Sequence, residues 1–214
     1  MINVCFINGS PKANPTSNSD YFIKKLSKSF DKNINISEFY ASKIINDASA
    51  LEKISISDKI IFVSPLYADT LPSHMIEFLT VLEKYLTDNN CTKIQVYGMI
   101  NCGFYEGTQC RHALDMIKYF CRKCNLNWNF GLGIGGGEYF PNEPDNSIHA
   151  ESLNKAINTL SNSINGFSTY SQNILIKPDK MTGFFYRAVA NSGWFITAKK
   201  KYNVGFMKLF KKVY

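Results

Sequence analysis

Apolar and polar positions change between two periods along the first 165 residues, one typical of buried strands and the other of amphipathic helices. Residues 2–7 are almost continuously apolar, as in a strand that is buried on both faces of a parallel sheet. Tyr21, Phe22, Leu26 and Phe30 then recur at helical spacing with lysines between them. The pattern predicts strands at residues 2–7, 34–39, 59–64, 94–100 and 128–134.

Helical patterns lie between these strands and after the last one. They predict helices from near residue 19 to 30, around Leu51 and Ile54, from 73 to 86, from 113 to 124 and from 147 to 164. For the third helix we expect an inner face of Met75, Ile76, Leu79, Leu82 and Leu86. For the fourth helix we expect an inner face of Ala113, Leu114, Ile117, Phe120 and Cys121.

Five strands that alternate with five helical patterns across short loops predict a doubly wound, parallel α/β sheet. The expected strand order is 2-1-3-4-5. In such a sheet ligands bind beyond the carboxyl ends of the strands, at the switch point between strands 1 and 3. The loops after strands 1, 3 and 4 are therefore expected to converge.

The loop after the first strand, residues 8–19, consists mainly of Ser, Thr, Asn, Gly and Pro. Hydroxyls, amide groups and backbone N–H groups beside a helix N-terminus form a site for an anion, most naturally a phosphate. The Walker spacing is absent, which argues against a nucleoside triphosphate. The alternative interpretation is an ordinary strand-to-helix turn with a Ser or Asn cap.

The other two loops supply groups for a flat ring. The third strand ends in Ser64-Pro65-Leu66-Tyr67, and Tyr67 offers an aromatic face for stacking. The fourth strand ends in Asn101-Cys102-Gly103, where Gly103 lets the main chain approach a ring so that nearby N–H groups bind its polar atoms. A phosphate in the first loop and a ring between the other two fit flavin mononucleotide (FMN).

Residues 131–136 match the dinucleotide pattern Gly-x-Gly-x-x-Gly, but in the wrong context. The first two glycines fall inside the fifth strand, and no helix follows at once. We interpret these glycines as positions of close backbone approach at the ligand edge of the sheet.

The loops 8–19, 64–67 and 101–103 together resemble the FMN loops of flavodoxin-like NADPH-dependent FMN reductases. Residues 135–138, Gly-Gly-Gly-Glu, resemble a segment of bacterial NAD(P)H-dependent oxidoreductases, and the resemblance covers residues 1 to about 165. It implies a flavodoxin-like fold, FMN as cofactor, NAD(P)H as hydride donor and a small-molecule electron acceptor such as a quinone or flavin. The cofactor-binding residues that it implies are Ser10, Lys12, Thr16, Ser17, Asn18, Ser19, Pro65, Leu66, Tyr67, Ala68, Asn101, Cys102, Gly103 and Phe104. No catalytic side chain is assigned, because the hydride step needs none.

The sequence departs from this family pattern in two places, at one residue in the first loop and at two residues in the second. Lys12 stands where many members have Arg, and Ala68-Asp69 follow the Tyr where many members have Trp or Gly. The cysteine cluster of iron–sulfur flavoproteins is missing before Pro65, which argues against that branch.

Two functions from other classes stay open beside the oxidoreductase. The first is a flavodoxin-type electron carrier; such carriers are usually strongly acidic, whereas residues 1–167 hold 15 basic and 16 acidic residues. The second is a flavin-free interaction protein on the same fold. Colour of the purified protein and its bleaching by NADPH distinguish the three.

Cysteine usage and hydropathy indicate the cellular compartment that we expect for the protein. The six cysteines lie without paired short spacings except Cys121 and Cys124, which fall inside a helical pattern, so neither disulfides nor a metal site is expected. The first apolar run breaks at Asn8 without a basic leader, and no run reaches the roughly 18 residues of a spanning helix. We expect a cytoplasmic protein with no integral membrane segment.

The last part of the chain is basic. Residues 168–214 hold nine basic residues and one acidic residue, so we divide the chain into a domain of residues 1–167 and an aromatic-rich helical extension of residues 168–214. Two helices are predicted there, interrupted near residues 191–193. We expect their apolar faces to pack on the domain or on a second subunit of a homodimer, with the lysines in water. The alternatives are a membrane-surface anchor and a nucleic-acid contact.

Overall fold

The computed structural model describes residues 1–12, 17–91 and 93–202. Its centre is a six-stranded, wholly parallel sheet with the order β2-β1-β3-β4-β5-β6. The predicted order of the first five strands is confirmed. The strands are β1 (Ile2–Asn8), β2 (Ile34–Tyr40), β3 (Lys59–Pro65), β4 (Gln95–Asn101), β5 (Asn127–Ile134) and β6 (Ile174–Ile176).

Helices cover both faces of this sheet. They are α1 (Asn18–Ser27), α2 (Ala41–Ile44), α3 (Ala48–Ser55), α4 (Ser73–Asp88), α5 (Arg111–Lys123) and α6 (Glu151–Asn165), and a further helix, α7 (Gly183–Tyr202), follows the sheet. Two 3₁₀ turns occupy Gly107–Cys110 and Phe140–Asn142. The one-turn helix α2 has no counterpart in the sequence prediction, because four residues are too few to show a helical period.

The central strands have side chains in two separate cores. Along β1, Cys5 and Ile7 lie in the core under α4 and α5, whereas Val4 and Phe6 lie in the core under α1 and α6. Successive side chains of a strand point to opposite faces, so a strand covered on both faces must be apolar at every position. This is the physical reason for the unbroken apolar run at the start of the chain.

The inner face of α4 differs from the prediction at one position. Met75, Leu79, Leu82 and Leu86 are buried as expected, but Ile76 is 38% exposed and Phe78 is fully buried. Phe78 lies three residues after Met75 and four before Leu82, on the same stripe of the helix, whereas Ile76 is rotated onto its flank. The predicted inner face of α5 is confirmed, since all five of its residues are buried.

The sixth strand was not predicted. Ile174–Ile176 pairs with β5 in parallel, so the first compact unit of the chain is Met1–Asp179. It includes residues 168–179, which the sequence pattern assigned to the extension. Three residues are too short a run to be recognised as a strand, and the bonds that define β6 are made to a strand distant in sequence.

The second compact unit, Lys180–Tyr214, contains α7. The predicted break near residues 191–193 is wrong, since α7 continues through Gly193 to Tyr202. A glycine inside a helix costs only about 1 kcal/mol relative to alanine, which the surrounding turns tolerate. Residues 194–202, where the second helix of this tail was predicted to begin, continue α7, and the rest of that predicted helix lies outside the described residues. None of the described helices is both long and apolar enough to span a membrane.

Candidate functional site

The loops after β1, β3 and β4 meet at the carboxyl edge of the sheet, as predicted. The side-chain amide of Asn101 connects them, because its Nδ2 donates to the Ser64 carbonyl oxygen at 3.1 Å and to Ser19 Oγ at 3.5 Å. The Gly9 N–H also donates to the Val63 carbonyl at 2.8 Å. Asn101 was predicted to contact the cofactor; in the structure its amide first holds the three loops together.

Ser17 caps α1. Its hydroxyl accepts a hydrogen bond from the Asp20 N–H and donates to the Asp20 carboxylate, while the Ser17 N–H donates to Asp20 Oδ2 at 3.1 Å. This is a capping box, in which the cap and the third helical residue bond reciprocally. The Ser17 side chain is therefore engaged within α1. Thr16, another predicted binding residue, lies outside the described residues.

Two other hydroxyls, those of Ser10 and Ser19, accept a hydrogen bond and donate none to the part of the chain that the structure describes. Ser10 Oγ accepts from the Lys12 N–H at 3.2 Å, and Ser19 Oγ accepts from Asn101. Both serines are buried, at 3% and 1% exposure. The N–H groups of Asn18 and Ser19 open α1 and have no carbonyl of an earlier helical turn to bond to. This set of donors at a helix N-terminus fits a phosphate.

A buried carboxylate lies behind this loop. Asp20 is 3% exposed, and its Oδ1 accepts from Asn8 Nδ2 at 3.1 Å and from the Tyr40 hydroxyl at 2.7 Å. Desolvation and the bond to Asp20 raise the pKa of Tyr40, so this hydroxyl stays protonated and donates. The network fixes Asp20, and Asp20 fixes Ser17. Sequence reasoning missed it, although Ser17-x-x-Asp20 has the spacing of a capping box.

Tyr67 lies in a tight turn between β3 and α4. Tyr67 and Thr70 exchange backbone hydrogen bonds of 2.9 and 3.0 Å, and the residues between them, Ala68 and Asp69, both have positive φ angles of 46° and 62°. This conformation is that of a type I′ turn. Leu66 is buried beneath it, whereas Tyr67 is 47% exposed. The turn thus holds an aromatic ring at the edge of the site.

The loop after β4 is bound to the loop after β5. The Cys102 N–H donates to the Ile134 carbonyl at 2.9 Å, and the Gly137 N–H donates to the Cys102 carbonyl at 2.7 Å. The Cys102 thiol is buried, and a hydrogen bond with Cys110 lowers its pKa. Because these groups face the protein, the parts of this loop that face outward are Gly103 and Phe104, the latter 56% exposed.

Glycines after and within β5 permit close backbone packing. A Cβ atom on Gly135 would lie 2.4 Å from the Tyr105 carbonyl oxygen, and one on Gly133 would lie 2.7 Å from the Gly107 carbonyl oxygen. Gly131 and Gly133 lie inside β5. For Gly133 and Gly135, the interpretation as positions of close backbone approach is confirmed, whereas a Cβ atom on Gly131 would first meet the Leu114 side chain.

Comparison with known proteins identifies other structures that have the same fold. No protein-family model matches the sequence, and neither does any curated protein. Among solved structures, an NADH:FMN oxidoreductase in its apo form is 16% identical, with a TM-score of 0.56 over 76% of this chain and 90% of that chain. A WrbA-like flavodoxin from Agrobacterium tumefaciens is 11% identical, with a TM-score of 0.55 over 78% of this chain and 98% of that chain.

A third similar structure contains the cofactor expected from the sequence. It is an FMN-dependent NADH-azoreductase from Bacillus anthracis in complex with FMN, 11% identical, with a TM-score of 0.53 over 76% of this chain and 99% of that chain. Likeness at such low identity establishes the fold. With its parallel sheet in the order 2-1-3-4-5 and its loops gathered at the switch point, the chain has the flavodoxin-like fold.

Proposed function

We propose that the protein is an FMN-dependent oxidoreductase that takes a hydride from NADH or NADPH and passes electrons to a small-molecule acceptor. The observation that carries this proposal is the Asn101 link, which gathers the three loops at the point where a flavodoxin-like sheet binds its ligand. The solved structures with this backbone include proteins named as NADH:FMN oxidoreductase and FMN-dependent NADH-azoreductase, which supports the proposal.

The phosphate of FMN would be held at the start of α1. Five groups could donate hydrogen bonds to an anionic ligand there. They are the N–H groups of Asn18 and Ser19, the hydroxyls of Ser10 and Ser19, and the ammonium of the exposed Lys12. Ser17 would contribute indirectly, because its hydroxyl is bound to Asp20 and orients the first turn.

The ring would lie between the second and third loops. Tyr67 offers an aromatic face, and Pro65, Leu66 and Ala68 set the position of that turn. Among the described residues, a Cβ atom on Gly103 would meet one atom within 4 Å, the Glu138 carboxyl carbon at 4.0 Å, and this spacing supports a ring beside Gly103. Cys102 would shape the floor of the site rather than bind through its own N–H.

FMN, when bound, supplies the redox chemistry, since it can accept a hydride from a reduced nicotinamide and then reduce an acceptor. The residues of the chain bind and orient it, and no side chain is required as an acid or base. An oxidoreductase of this kind has one requirement that a one-electron carrier lacks: a nicotinamide must be able to reach the flavin ring.

The first test is to add FMN to the purified protein and to follow flavin fluorescence and visible absorbance. We expect quenching at stoichiometric FMN, bleaching by NADH or NADPH without oxygen, and recovery of colour on addition of a quinone. If flavin fluorescence is not quenched at any FMN concentration, the proposal is wrong and a flavin-free interaction protein is favoured. Binding without bleaching by either nicotinamide would favour the electron carrier.

A further inference from the structure

Two cysteines of the first compact unit lie together at the carboxyl edge of the sheet. Cys102 directly follows β4, and Cys110 ends the 3₁₀ turn that leads into α5. Their thiols are joined by a hydrogen bond. Both residues are buried, at 4% and 0% exposure, and all six cysteines of the chain are free thiols. The proposed hydride transfer uses neither thiol.

Contacts with the main chain of β5 hold both cysteines in place. The Cys102 N–H donates to the Ile134 carbonyl at 2.9 Å, and the Cys110 thiol has a hydrogen bond with the main chain of the same residue. A Cβ atom on Gly133 would lie 3.0 Å from the Cβ atom of Cys110. The two cysteines therefore meet at the end of one strand, although seven residues separate them in the chain.

The two thiols differ in how readily each loses its proton. The hydrogen bond with Cys110 lowers the pKa of Cys102, although burial and the charge of Asp69 act in the opposite direction. The same hydrogen bond, together with burial, raises the pKa of Cys110. The thiolate is the nucleophile in cysteine chemistry. Cys102 is therefore the reactive member of the pair, and Cys110 lies beside it as a protonated thiol.

We propose that Cys102 and Cys110 form a reversible oxidation site, at which a peroxide converts the two thiols into one disulfide. The Cys102 thiolate attacks hydrogen peroxide, the O–O bond breaks, and Cys102 becomes a sulfenic acid while the released hydroxide takes up the Cys102 proton. The Cys110 sulfur then attacks the Cys102 sulfur, so that the S–S bond forms, the S–O bond breaks, and the hydroxide leaves with the Cys110 proton as water. Two thiols and one hydrogen peroxide thus give one disulfide and two waters, and a dithiol reductant reverses the change.

The loop after β4 gives a small oxidant a route to Cys102. The Cys102 Sγ atom lies 3.8 Å from the carbonyl oxygens of both Phe104 and Glu106. Gly103, Phe104 and Glu106 are exposed. Exposed loops open locally at a low free-energy cost. Hydrogen peroxide can therefore reach the sulfur without unfolding of the core.

A metal site and the other close cysteine pair are both less favoured. Zinc sites in proteins have three or four protein ligands, and residues 1–12, 17–91 and 93–202 contain no group of three or more His, Cys, Asp or Glu side chains that could hold a metal. Cys121 and Cys124 are poor nucleophiles, because burial raises the pKa of both thiols.

The first test follows the full-length protein by mass spectrometry and does not depend on the proposed function. The protein is treated with hydrogen peroxide without NADH or NADPH, denatured, alkylated with iodoacetamide and digested with trypsin. Residues 94–111 form one tryptic peptide, which contains Cys102 and Cys110 and no other cysteine. We expect this peptide to lose both alkyl groups and two hydrogens. Dithiothreitol added before alkylation should restore both alkyl groups.

Cys121 and Cys124 are the matched controls within the same sample. They lie on separate tryptic peptides, residues 119–122 and 124–155, so each is measured independently. Since burial raises the pKa of both thiols, we expect both to stay alkylated at the peroxide concentration that oxidises Cys102 and Cys110.

A pair of single variants tests the roles of the two thiols. In Cys110→Ser no second thiol can displace the hydroxide, so the sulfenic acid on Cys102 should persist and react with dimedone. In Cys102→Ser the remaining thiol, Cys110, should not react with dimedone, because its burial persists and opposes formation of a thiolate. Mass spectrometry of the peptide 94–111 measures both.

Three outcomes would overturn the proposal. The first is a peptide 94–111 that keeps both alkyl groups at a peroxide concentration that oxidises the half-buried Cys91. The second is a disulfide that joins Cys102 or Cys110 to a different cysteine. The third is dimedone labelling of Cys110 in Cys102→Ser without labelling of Cys102 in Cys110→Ser, which would reverse the assigned roles. If either variant fails to fold, the digest of the unaltered protein still decides between the first two outcomes and the expected one.

Discussion

The polar residues of the candidate site have two kinds of role, and residues of the same type occur in both. The side chains of Asn101 and Ser17 form hydrogen bonds to other residues of the chain. Ser10 and Ser19 accept hydrogen bonds and donate none to residues 1–12, 17–91 or 93–202, and Tyr67 is held half exposed by its turn. The second group is therefore expected to bind the ligand directly.

Replacing Tyr67 with Ala should weaken FMN binding several-fold, because an aromatic pair contributes about 0.5–1.5 kcal/mol beyond burial. The melting temperature should change little, since the side chain is half exposed and lies outside both cores. Fluorescence titration with FMN and thermal unfolding measure the two effects. Tyr119→Ala, which removes an exposed tyrosine from α5, is the matched control and should bind FMN as the unaltered protein does. Equal FMN affinity in both variants would place the ring elsewhere.

The two serines of the first helical turn should separate stability from phosphate binding. Ser17→Ala removes an N-cap and should lower the free energy of unfolding by about 1 kcal/mol. Ser19→Ala removes a donor to the phosphate, and should weaken binding of FMN while changing riboflavin binding much less. Denaturant unfolding and paired titrations with the two flavins measure this. An equal loss of both flavins in Ser19→Ala would mean that the loop holds no phosphate.

At the scale of elements, the edge of the site depends on strands and turns that approach each other without side chains between them. A Cβ atom on Gly107 would lie 2.2 Å from the Gly133 carbonyl oxygen and 2.5 Å from that of Ile176. The 3₁₀ turn Gly107–Cys110 is thus packed against the main chain of both β5 and β6. Backbone atoms cannot move aside as a flexible side chain can, so glycine is required at this position.

Gly107→Ala should therefore destabilise the fold by about 1–3 kcal/mol, the usual cost of overpacking. Gly103→Ala makes the same chemical change in the neighbouring loop, where the one contact of the new Cβ atom with the described part of the chain would be the Glu138 carboxyl carbon at 4.0 Å. It should leave the free energy of unfolding nearly unchanged and should weaken FMN binding instead. Denaturant unfolding of the two variants provides the comparison. Equal free energies of unfolding for Gly107→Ala and Gly103→Ala would show that the backbone at Gly107 is not packed as closely as described.

At the scale of the whole molecule, a buried lysine joins the central strand β3 to the end of α6, more than 100 residues later in the chain. Lys59, at the start of β3, is 8% exposed, and its Nζ donates to the Ile164 carbonyl at 2.7 Å and to the Ser163 carbonyl at 3.4 Å, at the end of α6. Cations are favourable at a helix C-terminus because the free carbonyls carry partial negative charge. Burial nevertheless lowers the pKa of Lys59.

This lowered pKa gives a pH dependence with a definite sign. Between the folded pKa and the ordinary lysine value of 10.5, the unfolded chain binds more protons than the folded one, so this group's contribution to stability rises with pH. The difference in unfolding free energy between the unaltered protein and Lys59→Met should therefore increase as the pH rises toward 10.5. Thermal or denaturant unfolding at a series of pH values under reducing conditions measures it.

The comparison for this prediction is Lys84→Met, which removes an exposed lysine of α4. Its difference from the unaltered protein should stay flat over the same pH range. A slope of the same sign and size in both variants would assign the effect to net charge and not to burial of Lys59.

The sequence by itself determined the fold class, the order of the first five strands and the convergence of three loops. These follow from local patterns, since a doubly covered strand must be apolar at every position and parallel strands bring their carboxyl ends to one edge. The continuity of α7 and the strand β6 were decided by the tertiary structure, because one depends on the tolerance of neighbouring helical turns and the other on bonds to β5. The same holds within the site. Whether Ser17, Ser19 or Asn101 faces a ligand depends on which partner lies within hydrogen-bonding distance, and Asp20, Ser64 and Tyr40 reach that distance only when the chain is folded.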